Sequence, residues 1–364
     1  MNETILQFGA GGFLRGFADL FAHHANTTGR PVGRIVVVQS TGEERARLIN
    51  AAGGRYHVAI RGLERGAVVD RVEECASISR ALVAQSQWDE VLAVAASPDL
   101  RFILSNVTEA GYAVSADDAP GATPPVSFPA KLRGALLARW RAGAAPPTML
   151  PCELHEDNAA KLRALVVQVA ERFGDPPAFV DWLREKCVWL ASLVDRIVPG
   201  RPAEHPLLAS DPLLIAAEPF AFWALESHPA AAAWPDHPAI VRTPDVRPYF
   251  LRKVRILNGA HTALLCRVGT DRFATVLDAM NDPPTAAWLE RLVFEEIVPV
   301  LAGRCAEPEQ FGRQTLERFR NPFLKHRLKD IALHHAAKKV IRLESTLKDY
   351  EERFGSRPPL LAAA

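Results

Sequence analysis

Three residues of one short stretch have the types and spacing to do chemistry on a carbonyl. Residues 252–262 read Arg-Lys-Val-Arg-Ile-Leu-Asn-Gly-Ala-His-Thr, which places Lys253, Asn258 and His261 at i, i+5 and i+8. On an α-helix they fall at roughly 0°, 140° and 80°, on one side of the axis and over about 12 Å of its length. A lysine whose pKa is lowered by burial or by cationic neighbours serves as general acid or base, and Arg252 and Arg255 are such neighbours in sequence. Asn258 and His261 can donate hydrogen bonds to an oxygen that gains charge as hydride arrives. Gly259 inside this helix costs about 1 kcal/mol against alanine, which close approach of a ligand or of another backbone would offset. Taken from spacing alone, the same residues also fit a solvated basic helix carrying one core histidine.

A second constellation suits a dinucleotide. Gly9-Ala-Gly-Gly12 lies between a short apolar run, 4–8, and a run with apolar residues at helical spacing, Phe13, Phe17, Leu20 and Phe21. Gly9 fits the tight turn, and Gly11 fits the place where backbone must approach a pyrophosphate. The third glycine of the usual pattern would stand at position 14, which is Leu14. The next strand ends in Gln39 and Ser40, with Glu43, Glu44, Arg45 and Arg47 beyond, so NAD and NADP both remain open.

These residues need elements to hold them. Arg34 to Gln39 is a continuous β-branched run, as in a parallel strand buried on both faces, and Arg101 to Asn106 is another. Strands alternating with helices predict an α/β, doubly wound, Rossmann-like N-terminal domain over 1–205. After that, 246–269, 286–302, 309–319 and 323–350 read as helical and strand-like runs almost vanish, which predicts a mostly α-helical domain over 206–364 with a frayed tail from 355. Glu295-Glu296 and His334-His335 read as surface pairs. His155 to Asn158 reads as a helix start rather than a metal cluster. The 364 residues carry 43 Lys and Arg against 42 Asp and Glu, a balance that excludes a general nucleic-acid or polybasic membrane binder. The five cysteines are scattered without metal-ligand spacing, and no export signal or spanning segment is present, so a cytoplasmic protein with reduced thiols is expected, with no metal. The sequence is silent on oligomeric state.

The motifs together resemble the polyol-specific long-chain dehydrogenases, the mannitol dehydrogenase family. Lys253-x4-Asn258-x2-His261 is similar to the family's signature. Gln7 to Arg15, Ser105-Asn-Val-Thr-Glu-Ala-Gly111, Pro151-Cys-Glu-Leu154, Val194-Asp-Arg-Ile-Val-Pro199, Glu218-Pro-Phe220 and Arg318-Phe-Arg-Asn-Pro322 follow in the family's order. The resemblance implies NAD-dependent, metal-independent reduction of a keto-hexuronate, with Lys253 as acid/base and Asn258 and His261 as oxyanion binders. It places the cofactor on Gly9, Gly11, Gly12, Phe13, Arg15, Gln39, Ser40, Asn106, Thr108 and Glu109. Leu154 stands where mannitol-type members carry an asparagine at the reacting oxygen, so that role does not carry over. The chain ends soon after Arg-Asn-Pro, where the similar uronate reductases continue, which predicts a shortened C-terminal region. Asp195 reads either as a structural partner of Arg196 or as a site carboxylate. Arg318, Arg320, Lys325 and His326 form a basic cluster suited to a sugar carboxylate. The partner is therefore a small sugar acid or polyol. Alternatives are a polyol or sugar-phosphate dehydrogenase, a reductase of another uronate, and a non-catalytic nucleotide-binding protein.

Overall fold

Runs of β-branched and apolar residues build the central sheet of the computed structural model, which describes residues 1–107 and 111–364. Its strands are β1 (Glu3–Phe8) and β2 (Arg34–Gln39), then, after a hairpin of β3 (Tyr56–Glu64) and β4 (Ala67–Cys75), β5 (Ile78–Val83), β6 (Phe102–Ser105), β7 (Thr148–Pro151) and β8 (Val188–Trp189). The order is β5-β2-β1-β6-β7-β8, and every pair is parallel. With the hairpin set aside this is the 3-2-1-4-5-6 order of the doubly wound dinucleotide fold, whose direction of winding reverses between β1 and β6. The four middle residues of β2 are all buried, as a parallel strand covered on both faces requires. Leu6, Phe8, Val36, Val38, Ile103 and Met149 pack with Leu132, Leu136 and Val166 of the covering helices in one core.

The chain divides into two units, 1–59 with 72–217 and 221–246, and 60–71 with 218–220 and 247–364. The boundary expected after residue 205 lies inside the first unit, because strands continue past it. β9 (Ser192–Asp195), β10 (Ile215–Ala217), β11 (Phe222–Glu226) and β12 (Ile240–Thr243) form two small sheets, β12-β11-β9 and β10-β3-β4. The alanine- and proline-rich spacing around these short strands hid them, and the hairpin β3–β4 was not read from sequence either.

The second unit is mostly helical around its own core, where Ile256, Leu264, Leu289, Val293, Phe311, Leu328 and Leu343 meet. Its long helix runs over 247–268 and is not α-helical throughout: Lys253–Asn258 forms a π-turn, flanked by Arg247–Arg252 and Gly259–Val268. Two further π-turns, Leu292–Ile297 and Val340–Glu344, pack against it. The tail is not frayed. Pro359–Ala362 is helical, Leu361 is buried in the core, and the buried Glu296 carboxylate accepts from the backbone N–H of Leu360 (2.7 Å) and Leu361 (2.6 Å). Glu296 is thus a cap for that last turn and not a surface residue. Among the described residues no helix is long and apolar enough to cross a membrane.

Candidate active site

The glycine loop leaves the carboxyl end of β1 at the point where the sheet reverses, the place where this fold opens a crevice for a ligand. Gly9 has φ +125°, and a Cβ there would stand 2.9 Å from the carbonyl oxygen of Asn106 after β6. Only glycine fits on both counts. Gly11 is exposed, with nothing within 4 Å of where its Cβ would be, so the backbone faces open space. Gly12 and Phe13 begin a single helical turn, Gly12–Arg15, and a break at Gly16–Phe17 separates it from Ala18–Thr27. The close-packing glycine of this fold comes two residues late. A Cβ on Gly16 would meet Val198 at 3.2 Å and Ile215 at 3.3 Å.

Other expected cofactor residues are placed differently. Arg15 is buried, and its Nη1 donates to the Leu213 carbonyl (2.6 Å) while its own carbonyl accepts from the Tyr56 hydroxyl (2.8 Å). Its guanidinium is thus engaged within the protein, against the expectation that it meets the cofactor. Gln39 clamps the turn after β2, since its Oε1 accepts from Ala46 N–H (2.6 Å) and its Nε2 donates to the Thr41 carbonyl (2.8 Å). Ser40 is exposed and Asn106 half-buried. Thr108 and Glu109 lie outside the described residues.

Lys253 and Asn258, both half-buried, are the first and last residues of the π-turn. Bonding from i to i+5 brings residues five apart one turn above each other, whereas an α-helical path would splay them by about 140°. The spacing Lys-x4-Asn is therefore the spacing of one π-turn. His261 follows on the next turn and is buried, and its Nδ1 lies 2.9 Å from the Leu257 carbonyl. A carbonyl only accepts, so Nδ1 carries the hydrogen and Nε2 presents a lone pair. Burial, with the His326 ring and the Arg318 and Arg342 cations nearby, holds the imidazole well below the ordinary histidine value. His261 is thus neutral at pH 7 and accepts at Nε2. In this tautomer Nε2 is an acceptor, whereas the oxyanion role expected above calls for a donor. Its ring packs on Phe319 (4.0 Å between centroids) and against His326 (4.8 Å). Arg252 covers Phe311 and donates to the Ala306 carbonyl, and Arg255 pairs with Asp349 at 3.2 Å.

Of the basic cluster, His326 packs against His261, and the Arg318 cation is near enough to lower its pKa. Arg318 is buried in a two-pronged pair with the buried Glu218, Nη2 to Oε1 at 2.7 Å and Nε to Oε2 at 3.0 Å, and covers the Phe220 ring. Its charge is already neutralised, so it is not an open cation for a substrate. Arg320 and Lys325 are exposed. Asp195 is buried in the first unit, at the end of β9 opposite Phe222 of β11, and the neighbouring Arg196 donates to the Gly16 carbonyl (3.0 Å).

Two family models together match nearly the whole chain: the mannitol dehydrogenase Rossmann domain over 3–237 and the mannitol dehydrogenase C-terminal domain over 245–364. The chain belongs to the mannitol dehydrogenase family. Among its members, altronate oxidoreductase of Bacillus subtilis is 36% identical over 99% of this chain and 77% of that protein. Altronate oxidoreductase of Klebsiella pneumoniae is 37% identical over 100% of this chain and 78% of that protein. In solved structures the same fold is seen in a D-sorbitol dehydrogenase, at TM-score 0.82 and 23% identity over 97% of this chain and 77% of that one. It is seen again in the Pseudomonas fluorescens mannitol 2-dehydrogenase in complex with NAD and D-mannitol, at TM-score 0.80 and 22% identity over 100% of this chain and 77% of that one.

Proposed function

We propose that this protein is an NAD-dependent oxidoreductase that interconverts a keto-hexuronate and its hexonate, with tagaturonate and altronate as the pair. The observation that carries the reading is the π-turn, which sets Lys253 and Asn258 one turn apart with the neutral, oriented His261 beyond them. The relatives named altronate oxidoreductase, matched over essentially the full chain, supply the substrate class. The loop after β1 fits a dinucleotide: Gly9 makes a turn no other residue can, and Gly11 leaves backbone open to a ligand. Gly9, Gly11, Gly12, Phe13 and Asn106 would hold NAD, with Ser40 toward the ribose. When bound, the cofactor supplies or takes the hydride at the carbon of the C–O group. Lys253, as the ammonium, gives its proton to the oxygen as that atom gains charge, and takes it back in the reverse direction. Asn258 donates a side-chain N–H to the same oxygen. His261 accepts a hydroxyl hydrogen at Nε2 and so orients the sugar. The carboxylate falls to Lys325, next to the His326 that packs on His261, because Arg318 is already paired. No step is assigned to Asp195. The cytoplasm is the proposed compartment, supported by five free thiols.

Lys253→Ala tests this. Turnover of tagaturonate with NADH should fall roughly 10²- to 10⁴-fold while NADH binding is kept. Unchanged turnover sinks the role of Lys253. Running wild-type protein with NADH and NADPH against tagaturonate, fructuronate, fructose and fructose 6-phosphate separates this reading from a fructuronate reductase or a polyol or sugar-phosphate dehydrogenase. NADH bound without turnover of any of the four would identify a non-catalytic nucleotide-binding protein.

A further inference from the structure

The segment Pro151-Cys-Glu-Leu154 carries a buried acid that the reaction above does not use. Glu153 lies two residues past the end of β7 and is 3% exposed. Its Oε2 accepts from the Ser105 hydroxyl (3.0 Å) and the Tyr112 hydroxyl (3.0 Å), and its Oε1 accepts from Val107 N–H (3.0 Å). Ser105 ends β6, and Val107 and Tyr112 belong to the loop that follows it. Asn106 is caught between two of these donors. Its side chain donates to the Cys152 carbonyl (2.8 Å), its N–H donates to Phe8 of β1 (3.1 Å), and its carbonyl is the atom a Cβ on Gly9 would strike. The carboxylate therefore shapes one wall of the glycine loop without touching a ligand. Glu153 is itself held. Asn158 Nδ2 donates to its carbonyl (3.1 Å), to that of Pro151 (3.1 Å) and to that of Ser192 (2.9 Å). The His155 ring packs on Tyr112 with centroids 4.5 Å apart.

An ionised carboxylate is the one side chain of this size that only accepts, and every group converging on it here is a donor. Burial pushes the carboxyl above the ordinary carboxylate value, and the hydrogen bonds from Val107, Ser105 and Tyr112 offset only part of that rise. Such a group sets backbone position more than it adds stability, because one acid ties the end of β6 to Val107 and Tyr112 beyond it.

We propose that Glu153 is a positioning residue for the cofactor: through Ser105, Val107 and Tyr112 it fixes Asn106 in the place beside Gly9 where the dinucleotide binds. This rests on the dinucleotide reading given above. Glu153→Gln keeps the volume and one acceptor but sets an NH2 among donors. The dissociation constant and KM for NADH should each rise roughly tenfold, the factor expected when a buried charged acceptor is lost. The KM for the sugar acid at saturating NADH should stay within about twofold, since the lysine-bearing helix is untouched. Tyr112→Phe removes a single donor and should shift NADH affinity the same way by less, and it carries the test if Glu153→Gln does not fold. A merely structural role would lower the melting temperature of both variants and leave the NADH constants of the folded protein unchanged, and that result overturns the assignment. Wild-type protein that binds neither NADH nor NADPH overturns the dinucleotide reading and this one together.

Discussion

Arg318 and Glu218 show how burial decides what a charged residue is available for. Both are almost fully buried and bonded to each other, so each offsets the cost of burying the other's charge. Glu218→Gln leaves a buried guanidinium without its counter-charge and should cost about 3–5 kcal/mol in urea unfolding. The double variant Glu218→Leu with Arg318→Met should recover most of that loss. Its KM for the sugar acid should match wild type, whereas a large rise there would return Arg318 to the substrate. The arginine was legible in the sequence as a cation near a family motif. Its partner was legible only as part of another motif 100 residues away, and nothing in either stretch links them. His261 was likewise legible by type and place. Its hydrogen-bonding sense was not, because that depends on the Leu257 carbonyl turned toward Nδ1. Glu153 left no signal beyond lying in a shared motif, since its donors come from the preceding strand and loop.

At the scale of elements, the parallel strands could be read because a strand buried on both faces must be a continuous apolar run, and β1, β2 and β6 are such runs. The hairpin β3–β4 could not, since β4 is mostly exposed and carries charges among its valines. The tail was expected to fray, but one leucine and a distant glutamate tie it down. The π-turn was hidden for a different reason. Its residues carry no mark that sets a π-turn apart from an α-helix, and in the fold it packs against the two other π-turns. Gly259, just beyond it, seemed to call for a close approach. A Cβ there would lie 3.7 Å from the Arg342 carbonyl and 3.7 Å from that of Val254, ordinary contact distances. Gly259→Ala should therefore fit, and should raise stability by up to about 1 kcal/mol through helix propensity. Chemical denaturation checks this. A loss of more than about 1 kcal/mol would mean that the helix pair cannot give even at these distances.

For the whole molecule, the near-neutral total of +1 says little about how stability depends on pH. What decides it is which titrating groups are buried. Burial lowers the pKa of His23, His237, His261 and His326, that of His237 to about 4. Below pH 6.5 the unfolded chain binds protons at these rings that the folded protein does not, so each contributes a loss of stability as pH falls toward its folded pKa. Asp19 opposes them. It is fully buried with its Oδ1 lacking a partner, and burial raises its carboxyl from 3.8 to about 7. Between those values the folded protein holds a proton that the unfolded chain has released, so stability falls as pH rises through the window. Glu153 is also raised and acts in the same sense. The histidines outnumber the raised acids, and wild-type stability should climb from pH 5 to 6.5. Asp19→Asn removes the main opposing group while keeping a neutral side chain of the same shape. Its advantage over wild type should be small near pH 4, grow by about 1.4 kcal/mol per pH unit toward pH 7, and stay level above. Urea unfolding of both proteins at pH 5, 6, 7 and 8 measures the difference directly. A difference that does not change with pH would show that Asp19 is ionised in the folded protein throughout, with a compensating charge on the groups that surround it.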